Sequence, residues 1–245
     1  MSTDQITSPP RSERASLVAY LSLIYLAAAA CLLHLFGHPL LDRADRLLSA
    51  YFYEEATQTF SQASTWKWIY DWAPYPALVI ATMATLGYLL TPFHLRLARY
   101  RPQLLQLALG LALGGGLIVH AVLKDHWGRP RPRQTLLFGG TAAYRPYWSP
   151  QPFHNSTQPY KSFACGHCTC GFYFFSCARV ARQIGARRLA RLANGVALLL
   201  GGLLGLARIA QGGHFLTDVL AAALTMWCTA WLCERWLWPS SKGKT

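Results

Sequence analysis

Long apolar runs separated by short basic clusters set the pattern of this 245-residue chain. Six runs approach the roughly 20 residues that carry a helix across a bilayer core. They lie at about 17–36, 76–90, 103–123, 163–180, 189–209 and 215–238, the fourth being short and rich in Cys, Gly and Ser. Ala28-Ala29-Ala30-Cys31 looks like a lipoprotein cleavage site, but apolar residues continue to Phe36, so the first run reads as an uncleaved anchor. The pattern predicts an all-α polytopic membrane protein with six transmembrane helices in one domain, 17–238. Residues 1–16 read as a disordered tail and 239–245 as a second, short tail.

Between the first two runs the period changes. Leu40, Ala44, Leu47, Leu48 and Tyr51 recur at helical spacing, while Asp42, Arg43, Asp45 and Arg46 fall mostly on the other face. That predicts a helix lying in the membrane interface. Trp66, Trp68, Tyr70 and Trp72 then read as an aromatic belt at headgroup level. Glycines at 110 and 114–116, and at 201, 202 and 205, predict close approach of the third and fifth spans to neighbouring helices.

Composition agrees with the membrane reading: 53% of residues are apolar and only 13% charged. The net charge of +13 does not indicate nucleic acid, because the basic residues sit in short runs between apolar segments. Alternating the sides of six spans puts most of that charge on the side holding both termini. By the positive-inside rule that side is cytoplasmic. The loop from Lys124 to Ser162 then lies outside, on the extracytoplasmic face.

Three polar stretches on that outer side carry the candidate chemistry. The first opens Lys124-Asp-His-Trp-Gly-Arg129-Pro130-Arg131-Pro132-Arg133, cations on a backbone stiffened by proline. The second, Cys165-Gly166-His167, opens a span, where free helix N–H groups favour an anion and His167 can protonate a departing oxygen. The third is Arg208-Ile-Ala-Gln-Gly-Gly-His214-Phe-Leu-Thr-Asp218. On a helix His214 and Asp218 sit one turn apart, so the carboxylate can orient the imidazole and leave its other nitrogen free as a nucleophile. Gly212 and Gly213 let the backbone turn near a bound group, and Arg208 offers a planar fork suited to phosphate.

Together these stretches resemble the type 2 phosphatidic acid phosphatase superfamily, in its membrane-bound lipid phosphatase branch. Its first motif, Lys, six residues, Arg-Pro, matches Lys124 and Arg131-Pro132 and so selects Arg131 over Arg129. The second, usually Pro-Ser-Gly-His, stands here as Ala164-Cys165-Gly166-His167. The third, Ser-Arg, five residues, His, three residues, Asp, stands as Ala207-Arg208, His214 and Asp218. The resemblance implies a phosphohistidine on His214, oriented by Asp218, with His167 protonating the leaving oxygen. Lys124, Arg131, Arg208, Cys165 and Gly166 would hold the phosphate, Cys165 mainly through its backbone N–H, since a thiol is a poor replacement for the motif's serine hydroxyl. It implies a phosphorylated lipid as substrate, of the lipid A, undecaprenyl diphosphate, phosphatidic acid or phosphatidylglycerol phosphate type, and no metal or cofactor. A lipid-to-lipid phosphotransferase would use the same site.

Readings from other classes rest on the cysteines. Cys165 and Cys168 form a C-x-x-C at a helix start, as in thiol-disulfide oxidoreductases. Zinc on Cys165, His167, Cys168 and Cys170 would crowd its ligands onto about one turn. Neither reading uses Lys124, Arg131, Arg208, His214 or Asp218. A transporter is disfavoured because the polar cluster lies at one membrane face rather than at the midplane.

Overall fold

The computed structural model describes residues 37–151 and 160–238. The expected first span and both tails lie outside them. Packing divides the chain at Arg43/Ala44. Of the first unit only 37–43 are described, as the start of one helix; the core and the candidate site belong to the second. Among the described residues the structure is mostly helical. In chain order it comprises α1 (His38–Tyr51), a small hairpin of β1 (Tyr53–Glu54) and β2 (Thr59–Phe60), α2 (Ser64–Trp72), α3 (Tyr75–Leu89) and α4 (Leu95–Ala98). Then come α5 (Arg101–Leu109), which continues as a π-helix (Gly110–Lys124), and α6 (Gly166–Phe172), α7 (Phe174–Gln183), α8 (Arg187–Ala210) and α9 (Leu216–Leu237). The hairpin, Tyr53 opposite Phe60, was not expected from the sequence.

Three of these helices are long and apolar enough to cross a membrane: Arg101–Lys124, Arg187–Ala210 and Leu216–Leu237. They match the third, fifth and sixth apolar runs. The second run forms α3, whose 15 residues fall short of the usual spanning length. The fourth run is not one helix. It breaks at Tyr173 into α6 and α7, of 7 and 10 residues.

The core lies where α6, α7, α8 and α9 meet α3 and α5, around Phe172, Leu204, Val219 and Met226. Glycines set how closely these helices pack. A Cβ on Gly171 of α6 would collide with the backbone of Gly201 on α8, and one on Gly205 with Val219 of α9. Gly202, one residue from Gly201, faces open space. Only part of each glycine run therefore makes the close approach the sequence predicts. Buried polar groups add specific ties: Gln106 Nε2 donates to the Ala230 carbonyl (3.3 Å) and Tyr173 Oη to that of Leu107 (3.0 Å). Arg179 pairs with Glu234 at 2.8 Å, joining α7 to the end of α9.

At the start of α9 a charged cluster is fully enclosed. Arg129 is 1% exposed, and its guanidinium pairs with Asp45 (Nη2 to Oδ2, 2.7 Å) and with Asp218. It also donates to Thr217 Oγ1 (2.8 Å) and, through Nε, to the Arg145 carbonyl (2.9 Å). Asp45 accepts the Thr217 amide at 2.8 Å and its hydroxyl at 2.6 Å. The sequence placed Asp45 on the polar outer face of α1. The structure corrects this: Asp45 and Ser49 are buried, while Leu47 and Tyr51 are exposed. Removing one partner of such a cluster leaves buried charge unpaired, which typically costs about 3–5 kcal/mol.

Two stability comparisons test this packing, both read as thermal unfolding of the purified chain in detergent. Gly171→Ala should lower Tm, because overpacking a backbone-to-backbone contact costs about 1–3 kcal/mol. Gly202→Ala should leave Tm unchanged or raise it, since alanine favours a helix by about 1 kcal/mol over glycine. Equal behaviour of the two would contradict the packing described. Arg129→Met should destabilise by about 3–5 kcal/mol, and substituting the surface Lys67, paired with exposed Asp71, should have little effect.

Candidate active site

The turn between α8 and α9 is built on two glycines. Gly212 has φ +62°, a left-handed conformation that favours glycine. A side chain on Gly213 would displace the Arg208 guanidinium, which lies against it. The Gly213 amide returns to the Arg208 carbonyl (2.8 Å), and the His214 amide approaches the same oxygen (3.3 Å). His214 thus precedes α9 rather than riding on it, so the expected one-turn spacing on a helix face is not how the pair meets. Asp218, in the first turn of α9, reaches back: its Oδ2 accepts the Phe215 amide at 2.9 Å and stands 3.5 Å from His214 Nδ1. Asp218 therefore caps the helix and faces the imidazole with the same oxygen. Ser162 Oγ donates to that oxygen as well (2.6 Å), while Arg129 holds Oδ1.

His214 is buried, with Nδ1 turned to Asp218 and the opposite ring edge directed away from it. Burial by itself pushes the imidazole toward the neutral form. The neighbouring Cys165 sulfur and the Asp218 carboxylate outweigh this and hold its pKa above the ordinary value of 6.5. Behind it, burial raises the Asp45 pKa against the pull of Arg129 and Thr217. Arg129 is raised despite its burial, by the two carboxylates.

In front of His214 lies a cavity of about 360 Å³ lined by Lys67, Tyr70, Lys124, Arg131, Arg133, His167, Arg208, Gln211 and His214. The structure so brings together five of the eight residues singled out from the sequence: His214, His167, Lys124, Arg131 and Arg208. Asp218 stands behind His214. Burial first, then the nearby charges of Arg133 and Arg208, lower the Arg131 pKa, which still leaves a guanidinium charged at neutral pH. Arg131 Nε and Arg208 Nε are buried without a partner among the described residues. Such donors and crowded like charges are satisfied together by a phosphate-sized anion. The choice of Arg131 over Arg129 agrees with this arrangement: two residues apart, one lines the cavity and the other is consumed by Asp45 and Asp218.

Cys165 and Gly166 do not line the cavity. The Cys165 amide donates to the Asp218 carbonyl at 3.1 Å, joining the second motif to the third, so it is not offered to a phosphate as expected. Gly166 needs its missing side chain for another reason, because a Cβ there would strike the His120 ring. Cys165 and Cys168 are both buried, free thiols. Among the described residues no group of three or more His, Cys, Asp and Glu side chains converges as metal ligands, Cys165, His167, Cys168 and Cys170 included. Sequence reading missed Arg129 as a partner of Asp218, and with it Asp45, Ser162 and Thr217. It also assigned Tyr70 to the interface rather than to the cavity wall, and did not single out Lys67. The one signal for Arg129 was its place two residues from Arg131 in a proline-stiffened run.

Comparison with known proteins picks out the same stretches. The model of the PAP2 superfamily matches residues 103–242, which hold all three motifs. A lipid A 4'-phosphatase of Francisella tularensis subsp. novicida (strain U112) is 37% identical over 136 residues, 55% of this chain and 58% of that protein. Lipid A 4'-phosphatases of Rhizobium leguminosarum and Rhizobium etli (strain ATCC 51251 / DSM 11541 / JCM 21823 / NBRC 15573 / CFN 42) match over 41 residues each, at 61% and 54% identity. Those two matches span 16% of this chain, and 18% and 16% of the respective relatives. The chain thus spans less than two thirds of the length of the relatives it matches. No solved structure matches it. With the family's motifs facing one cavity and its model covering more than half of the chain, this protein belongs to the PAP2 superfamily.

Proposed function

We propose that the protein is an integral membrane lipid phosphatase that releases phosphate from a phosphorylated lipid by way of a phosphohistidine. The observation that carries this reading is the layering of charge around His214. Carboxylate lies behind the ring and five cationic side chains, Lys67, Lys124, Arg131, Arg133 and Arg208, share the cavity before it. The relatives act on lipid A at its 4'-phosphate, as their names state, which makes a phosphate monoester on a glycolipid the leading substrate class. Six spans, with cytoplasmic termini and the cavity on the extracytoplasmic side of an inner membrane, complete the proposal.

In this reading the imidazole nitrogen remote from Asp218 attacks phosphorus as the bond to the lipid oxygen breaks. Asp218 fixes the tautomer and steadies the positive charge that develops on the ring. His167, across the cavity, protonates the leaving oxygen and then draws a proton from the water that hydrolyses the phosphohistidine. Lys124, Arg131 and Arg208 neutralise the oxygens of the transferring group. Preorganised donors of this kind are each worth roughly 3 kcal/mol in the transition state.

The test is phosphate release by the detergent-purified chain from lipid A, undecaprenyl diphosphate, phosphatidic acid and phosphatidylglycerol phosphate, with and without a lipid alcohol as acceptor. Release from at least one lipid, independent of acceptor, supports hydrolysis; release only when the acceptor is phosphorylated would replace it with transfer. His214→Ala should abolish turnover with Tm unchanged, and full activity in that variant would refute the mechanism. Because the nucleophile must be neutral, kcat/KM should rise with pH through a value above 6.5. Asp218→Asn, which removes part of what raises the His214 pKa, should move this acid limb to lower pH while cutting kcat by orders of magnitude.

Metal dependence gives a separate check. With cationic side chains in place of a Lewis acid, activity should persist in excess chelator, and vanadate, a mimic of five-coordinate phosphorus, should inhibit. Loss of activity in chelator, restored by zinc or magnesium, would require a different mechanism.

A further inference from the structure

Tyr70 of α2 carries two members of the proposed machinery on one ring. The His167 imidazole stacks on it with centroids 4.2 Å apart and planes inclined by 26°. The Arg208 guanidinium carbon lies 4.7 Å from the same centroid. Tyr70 also lines the cavity that holds both. These three side chains come from α2, α6 and α8, so no local periodicity brings them together.

Each contact restricts a group that would otherwise turn. The χ2 torsion of a histidine is broad, and a flat neighbour selects the ring plane. The Arg208 fork is held along one edge by Gln211, whose Oε1 accepts from Nη1 at 2.7 Å, and it lies against Gly213, which has no side chain to displace it. Tyr70 supplies its remaining flat contact. The phenol is itself held in register because Ile69, beside it on α2, packs on the main core. Trp68 and Trp72 of the same helix are exposed.

We propose that Tyr70 is a positioning residue for the reaction, setting the plane of His167 and of Arg208. The inference rests on the reading of His167 as the general acid. In that step the His167 N–H proton passes to the bridging oxygen as the phosphorus–oxygen bond breaks, while the His214 lone pair forms the new nitrogen–phosphorus bond. Tyr70 gives and takes no proton, so its hydroxyl is dispensable and its ring is not.

Leaving-group dependence separates this role from a structural one. A general acid matters for a poor leaving group, such as the alkoxide of phosphatidic acid, and little for the weakly basic phenolate of 4-nitrophenyl phosphate. The experiment compares kcat/KM, which reports the step in which the leaving group departs, for both substrates in the full-length wild type, Tyr70→Phe, Tyr70→Leu and His167→Ala in detergent, with Tm measured for each. Tyr70→Phe should stay within about threefold of wild type on both. Tyr70→Leu should lose roughly 10- to 100-fold on phosphatidic acid and clearly less on 4-nitrophenyl phosphate, a smaller copy of the His167→Ala pattern. If Tyr70→Leu does not accumulate, Tyr70→Met carries the same comparison. Equal losses of the Tyr70 variant on both substrates, or none, while His167→Ala discriminates between them, would overturn the inference. Equal losses for His167→Ala itself would instead overturn the assignment of the acid.

Discussion

A single buried guanidinium holds the cavity end of this protein together. Arg129 sits between Asp45 and Asp218, and the donors around it complete the coordination of both carboxylates. Asp218 receives Arg129 on one oxygen and Ser162 with the Phe215 amide on the other. Asp45 receives the Thr217 amide on one oxygen and the Thr217 hydroxyl with Arg129 on the other. Ions removed from water are stable only when their lone pairs and protons are met in this way. The requirement draws residues from α1, from the loop after Lys124 and from the approach to α6 onto the first turn of α9.

The same cluster gives His214 its orientation. Two carboxylates share one guanidinium, so negative charge is in excess behind the imidazole. On the other side the cavity wall is cationic, with Lys124, Arg131, Arg133 and Arg208 around it. In the proposed mechanism a ring between such layers presents one nitrogen to Asp218 and the other to the phosphate. Polarity is thus built in before any ligand arrives, which is the condition under which fixed charges act most strongly on a reacting group.

The cavity wall also includes a helix that carries exposed aromatic residues. Tyr70 and Lys67 reach the cavity from α2, while Trp68 and Trp72 on that helix are exposed. Amphipathic aromatic residues of this kind settle at headgroup level. Tyr70, which contacts His167 and Arg208, thus belongs to the same nine-residue helix as those exposed aromatics.

Helical architecture and three of the six apolar runs were legible in the sequence, because both depend on runs of neighbouring residues. The third, fifth and sixth apolar runs became long helices with boundaries close to those expected. The triplet of motifs was equally legible, since the spacings Lys124 to Arg131 and Arg208 to His214 to Asp218 are local and survive folding. What the sequence by itself could not determine was the fate of groups whose partners lie far away in the chain. Arg129 meets Asp45 across 84 positions and Asp218 across 89, so nothing near it distinguishes it from Arg131. Asp45 read as the polar face of an amphipathic helix because periodicity reports polarity, and a paired buried carboxylate looks the same as a solvated one. Tyr70 read as an interface aromatic for a similar reason, and only the packing of α2 beside α6 and α8 placed its ring on His167 and Arg208. Local pattern specified the helices and the chemical types at the site; tertiary packing, which alone sets distances between remote segments, decided which of those groups are paired and which face the cavity.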